Sequence, residues 1–206
     1  MLHIIGRSNS GNTQKVLWAC EELSLPYSRE DRGGQFGGNE DPAYLRLNPN
    51  GLVPTVIDND VVMWESNTIL RYLASRYGAH GLWEPDPARR TLGERWMDWQ
   101  LGVLAPAQRA LYYQLVRTPD DQRNPALITT GRERTAAAMQ IFDAGIPDST
   151  WLGGERFTVA DIALGIFVHR WFKLPIVREP TPRALRWYNA IAERPGFRKY
   201  VDIGLS

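Results

Sequence analysis

The loop Ser8-Asn9-Ser10-Gly11-Asn12 stands immediately before a run of helical spacing. Ser8, Ser10 and Asn12 can each donate a hydrogen bond there, and Ser10 or Asn12 can cap the helix, whose first backbone N–H groups lack partners. Glu65-Ser66 stands before a second such run. A serine there offers its hydroxyl and the first-turn amides to an anion, and the helix dipole adds roughly half a positive charge. A plain N-cap is the alternative reading of Ser66. Val53-Pro54 is a third local constraint, and since only about 5–6% of such bonds are cis, the residues alone argue for trans. Other reactive side chains are sparse. Cys20 shares an apolar stripe with Val16 and Leu23 and reads as a buried, inert thiol. His3, His80 and His169 are scattered without triad or metal-ligand spacing, so no metal is expected.

These residues need elements to hold them, and two textures follow one another along the 206 residues. Leu2-His3-Ile4-Ile5 is a short apolar strand run and residues 12–23 are helical. Tyr27–Glu30 is a poorer strand, residues 33–38 are Gly-rich, and a short helical piece covers Pro42 to Leu47. Pro54–Ile57, a turn at Asp58-Asn59-Asp60, and Val61–Met63 read as a hairpin, followed by a helix over residues 66–77. After Gly78 the strand signals stop. Asp86-Pro87 is a good helix opening, and Trp96, Trp99, Val103, Ala107, Leu111 and Leu115 predict one long amphipathic helix that Pro106 should bend. Ala138, Ile141 and Phe142, then Ile162, Ile166 and Phe167, then Leu185, Tyr188 and Ile191 continue the helical pattern. Trp96, Trp99, Trp171 and Trp187 fall at helical spacing and read as core. The expected architecture is an α/β unit of order βαβαββα over residues 1–80 and an all-helical unit over 86–206.

Composition narrows the partners. Lys and Arg total 24 against 23 Asp and Glu, a net charge of +1, with the signs interspersed. The first 80 residues carry 7 basic and 9 acidic side chains and the rest 17 and 14, so the halves stand at −2 and +3. Neither half has the basic excess of a nucleic-acid binder. One cysteine excludes an intramolecular disulfide and suits a reducing cytosol. The first residues lack a secretory leader's pattern and no apolar run nears the roughly 18 residues of a membrane span, so a soluble, cytoplasmic protein is expected.

Ser8–Asn12, Asn48-Pro49-Asn50-Gly51-Leu52-Val53-Pro54, Trp64–Ile69 running into Arg71-Tyr72-Leu73, and Phe157–Ala163 occur in an order and spacing that together resemble the cytosolic glutathione transferases. The resemblance spans essentially the whole chain and is nearest the bacterial serine-type members of theta and zeta character. It implies a thioredoxin-like α/β domain followed by an all-α domain. It also implies glutathione as co-substrate, with Ser66 at the γ-glutamyl carboxylate and Glu65 at the ammonium. A cis Val53-Pro54 bond would present Val53 to the cysteinyl backbone. Leu52 departs from the Lys or Gln of many relatives, and Asn39 is a substitute contact for the glycyl end. Ser10 matches the family's serine, standing six residues before Val16, with Asn12 the next candidate and Ser8 a further donor. Thr158 and Asp161 match the capping box of the helical domain, a folding feature.

The second-substrate pocket would lie between the first loop and the long helix, lined by Arg7 and Asn9 from the loop and by Arg109, Tyr112 and Tyr113 from the helix. Arg109 could meet an anionic acceptor or developing charge, or could be a solvated surface arginine. The resemblance implies conjugation of glutathione to a small electrophile, detoxification, and a homodimer formed through the third and fourth helices. A glutathione-dependent isomerase, dehalogenase or peroxidase on the same scaffold fits the serine loop equally. A non-catalytic interaction module is the further alternative.

Overall fold

In the computed structural model, which describes residues 1–78 and 81–205, the first half is a four-stranded mixed sheet with helices. His80 lies outside the described residues. Strands β1 (Leu2–Ile5), β2 (Tyr27–Glu30), β3 (Thr55–Asp58) and β4 (Val61–Trp64) are ordered β2-β1-β3-β4. β1 runs parallel to β2 and antiparallel to β3, and β3 and β4 form the hairpin around Asn59. Helix α1 (Gly11–Glu22) makes the crossover between the parallel strands, which two-residue turns cannot do. Helices α2 (Pro42–Leu45) and α3 (Ser66–Tyr77) complete the βαβαββα order.

The helical half comprises α4 (Pro87–Trp99), α5 (Ala105–Tyr112), α6 (Pro125–Gly145), α7 (Val159–Lys173), α8 (Pro182–Ala192) and α9 (Pro195–Tyr200). Asp86 caps α4 by accepting from Ala88 N at 2.8 Å. The single long helix expected from the periodicity is instead α4 and α5 joined by a π turn over Gln100–Leu104, with a second over Tyr113–Arg117. A π turn takes in one extra residue, so the inward face moves from Val103, 39% exposed, to the fully buried Leu104 and on to Gln108 and Leu111. Pro106 cannot bond back to Gly102, and the irregular turn falls there. Ile141 and Leu185 also face outward, while Met139, Phe142, Tyr188 and Ile191 fill the core.

Helix α1 does not behave as a helix with one wet face. Residues 13–20 are all buried, Gln14 and Lys15 included, because α1 packs on α3 on one side and on α7 and α9 on the other. Trp18 fills this seam, edge-on to Phe197 and against Phe157. Gly165 and Gly196 make room for it: a Cβ on either would come within 2.7 and 2.3 Å of the indole. One hydrophobic core therefore runs from Leu2 to Val201 across both halves. Trp96, Trp171 and Trp187 lie within it and Trp99 packs against it. Among the described residues no helix is long and apolar enough to cross a membrane.

Candidate active site

The end of β1 and the start of α1 place Ser10 at the mouth of a cavity of about 670 Å³ between the two halves. Ser10 occupies the position preceding α1 in extended conformation, and its hydroxyl makes no capping bond to the helix. Its backbone carbonyl accepts from Gln14 N, as the helix requires, and the side chain is left to line the cavity. Asn12, expected as the alternative cap, is exposed on the first turn and accepts a hydrogen bond from Ser66 Oγ at 3.3 Å. Neither of the two candidate caps therefore caps α1 with its side chain.

Ser66 is the first residue of α3, and Glu65, not Ser66, holds the N-cap position. Glu65 does so with φ +68°, a conformation that non-glycine residues adopt rarely, and its side chain is exposed. The strain is of order 1–3 kcal/mol. Ser66 is 3% exposed and also accepts from Lys15 Nζ at 3.4 Å. The Lys15 ammonium donates further to Asn67 Oδ1 at 3.1 Å and Gln100 Oε1 at 2.9 Å. Burial pushes its pKa down to about 7, helped by Arg170 and opposed by Glu65.

Of the expected glutathione contacts, Asn39, Leu52, Val53, Pro54, Glu65 and Ser66 do not line this cavity, and the loop before β3 stands beside the first loop, outside its wall. The Val53-Pro54 peptide is cis, as the resemblance implies and against the residue statistics. Tyr44 Oη and Asn48 Nδ2 both donate to Leu52 O, at 2.6 and 2.7 Å, fixing the backbone while the Leu52 side chain stays 62% exposed. Asn39 donates to Gly51 O at 2.6 Å and its Oδ1 is buried without a partner, so its side chain is engaged in shaping the loop. Val53 packs against Gly6 and Gly33, next to the first loop.

Arg7, Arg109, Tyr112 and Tyr113 all line the cavity, together with three polar residues the sequence reading did not single out: Gln108, Arg117 and Arg170. Arg7 Nη1 donates to Asn9 Oδ1 at 2.9 Å. Gln108 Nε2 donates to Phe167 O at 3.0 Å and so fastens α5 to α7. The Arg170 guanidinium stacks over the Tyr112 ring at 4.0 Å and near Phe167 at 5.1 Å. Arg170 carries no local signal, because a cation in the last turn of a helix is ordinary. Lys15 and Arg117 carry no such signal, because each looks like a solvated helix charge.

His169, His3 and Cys20 stand apart from the cavity. His169 bonds Tyr188 Oη at 3.0 Å inside the core and burial lowers its pKa to about 4. His3 bonds Ser28 on the sheet edge. Cys20 is 1% exposed and burial pushes its thiol up to about 12. The sole cysteine is therefore not part of the cavity wall.

Two family models match the chain: the glutathione S-transferase N-terminal domain over residues 9–76 and the C-terminal domain over residues 107–195. Glutathione S-transferase GstB of Escherichia coli K12 is 42% identical over the full length of both chains. Disulfide-bond oxidoreductase YfcG of the same organism is 30% identical, over 89% of this chain and 87% of that one. A solved theta class glutathione S-transferase from Xanthomonas axonopodis pv. citri, with glutathione bound, superposes with a TM-score of 0.95 at 41% identity, covering 100% of this chain and 99% of that one.

Proposed function

Since the chain belongs to the glutathione S-transferase family, we propose that its cavity binds glutathione beside Ser10 and transfers the thiolate to a small electrophile. The observation that carries this reading is the meeting of the first loop with the α3 entrance, through the Ser66 to Asn12 hydrogen bond, at the edge of the cavity that Ser10 lines. The γ-glutamyl carboxylate sits on Ser66 and the first α3 amides. Glu65 receives the ammonium, and the Val53 N–H and C=O pair with the cysteinyl backbone. Leu52 and Asn39 shape the loop that meets the glycyl end.

Ser10 then donates to the sulfur. A free thiol with pKa about 8.5 is roughly 3% thiolate at pH 7, and a hydrogen bond to a charged acceptor is worth about 1.5–3 kcal/mol, or one to two pKa units. The hydroxyl acts as a donor to the thiolate, and the thiol proton leaves to solvent. The sulfur lone pair forms the bond to the electrophilic carbon while the leaving group departs with its electron pair. Ser10 is favoured over Asn12 because its hydroxyl has no capping duty, whereas the Asn12 amide is held by Ser66.

The similarity to a disulfide-bond oxidoreductase supports a second reading. In it the bound thiolate attacks a disulfide and displaces one thiolate, which takes a proton from solvent; a second glutathione thiolate then attacks the mixed disulfide, releasing the other thiol and glutathione disulfide, and Cys20, buried and protonated, takes no part. With either reading we propose a homodimer in a reducing cytosol. Supporting assembly, the edge strand β4 exposes Val61, Val62 and Trp64 and α4 exposes Leu92.

Millimolar glutathione should raise the melting temperature, and no shift would reject both readings. Ser10→Ala should lower kcat about 100-fold with a smaller change in glutathione KM, the loss typical of one donor to a developing anion. An unchanged conjugation rate would reject the role of Ser10. Turnover of an alkyl disulfide but of no electrophile would select the second reading.

A further inference from the structure

We infer that the second-substrate side of the cavity is built for an electrophile carrying a carboxylate or a comparable anionic group, a substrate class that rests on the conjugation reading above. Four guanidinium groups, Arg7, Arg109, Arg117 and Arg170, line one cavity whose described wall contains no aspartate or glutamate. None of the four is ion-paired to a carboxylate among the described residues, although most arginines elsewhere in the chain are, Arg71, Arg90 and Arg194 among them. Burial, and after it the nearby charge of Arg117, lowers the pKa values of Arg7 and Arg170, and Arg7 adds to the effect on Arg170. The Arg7 Nε is buried without a hydrogen-bond partner.

Such a cluster is costly when empty. Arg7 and Arg170 are partly withdrawn from water while Arg109 and Arg117 stay exposed, so the repulsion is felt mainly at the inner pair, and a planar anion placed among them relieves it while accepting paired N–H bonds. The neighbouring side chains select the shape. Arg170 is already stacked on Tyr112, so its plane is fixed, and Tyr113 and Phe167 add apolar surface for the body of the electrophile. Glutathione's own carboxylates have their places at the α3 entrance and the loop before β3. The arginines come instead from the first loop, α5, the π turn after it and α7. In the reaction the sulfur forms its bond to the electrophilic carbon and the halide leaves with its electron pair, while the substrate's anionic group stays paired to arginine throughout.

The test compares a chloronitrobenzoate with the neutral chloronitrobenzamide of the same substitution pattern at saturating glutathione, each rate normalised to its uncatalysed reaction with glutathione. The expected result is a preference of about tenfold or more for the benzoate in kcat/KM, weakening as salt rises. Arg117→Gln and Arg109→Gln, at exposed positions, should each lower the preference, raising the benzoate KM by a larger factor than the amide KM. Equal normalised rates for the two compounds, or a preference indifferent to both variants, overturn the inference while leaving the transferase reading intact. A rise confined to the glutathione KM also overturns it, since the cluster would then serve the tripeptide. Failure of both compounds together with no thermal shift by glutathione overturns the underlying reading and the inference with it.

Discussion

Lys15 carries an ammonium into the seam between the two halves, where its three donors meet only neutral oxygens: Ser66 Oγ, Asn67 Oδ1 and Gln100 Oε1. Its folded pKa, about 7, lies below the ordinary 10.5, so between those values the unfolded chain holds a proton that the folded one lacks. The burial penalty is therefore fully present below pH 7 and is relieved as pH rises toward 10.5. Relative to Lys15→Met, the native protein should gain roughly 1–5 kcal/mol of stability across that window, measured by denaturant unfolding at several pH values. A pH-independent difference would mean that the proton stays on in the fold. Glu65 poses the opposite test, because its strained φ of +68° suits glycine. Glu65→Gly should leave stability unchanged or raise it by about 1 kcal/mol while weakening glutathione binding, read by thermal unfolding and titration. Reduced stability would show that the side chain serves the fold. Ser10, Asn12 and Ser66 were legible because donors beside a helix entrance are a local pattern. Lys15, Arg117 and Arg170 were not, because their surroundings are made by segments up to 85 residues or more away.

At the scale of elements, the box opening α7 does more than its sequence pattern suggests. The Asp161 carboxylate accepts from Thr158 N at 2.9 Å, and also from Leu152 N at 3.0 Å and Trp187 Nε1 at 2.8 Å. Burial raises its pKa and these bonds oppose the rise. Thr158→Ala should cost about 0.5–2 kcal/mol, as for a cap. Asp161→Ala should cost about 3–5 kcal/mol, because three donors from three segments lose their acceptor in the core. Equal losses in chemical denaturation would reduce Asp161 to a capping residue. The same scale explains the misplaced face of the long helix. Pro106 announced a disruption, but the extra residue taken up by the π turn depends on how α5 packs against α6 and α7, which periodicity does not report. That turn is what sets Gln108 inward and Tyr112 on the cavity wall.

The whole molecule joins a sheet-based half and a helical half through one core, with Trp18 of α1 lodged against Gly165 and Gly196. Introducing Val62→Lys with Leu92→Glu should convert the proposed homodimer to a monomer in light scattering while the helical signal in circular dichroism persists. A dimer unchanged by both charges would place the interface elsewhere. Local patterns determined what could be read without coordinates: the βαβαββα order, the change to helices, the loop of donors at Ser10, the helix entrance at Ser66 and the capping box. Each depends on residues within a few positions of one another, and backbone sterics and hydrogen bonding act at that range. Tertiary structure alone decided which charges are buried, which face of α5 looks inward, and that four arginines share a cavity. Those outcomes depend on burial, and burial is set by what packs alongside from distant parts of the chain.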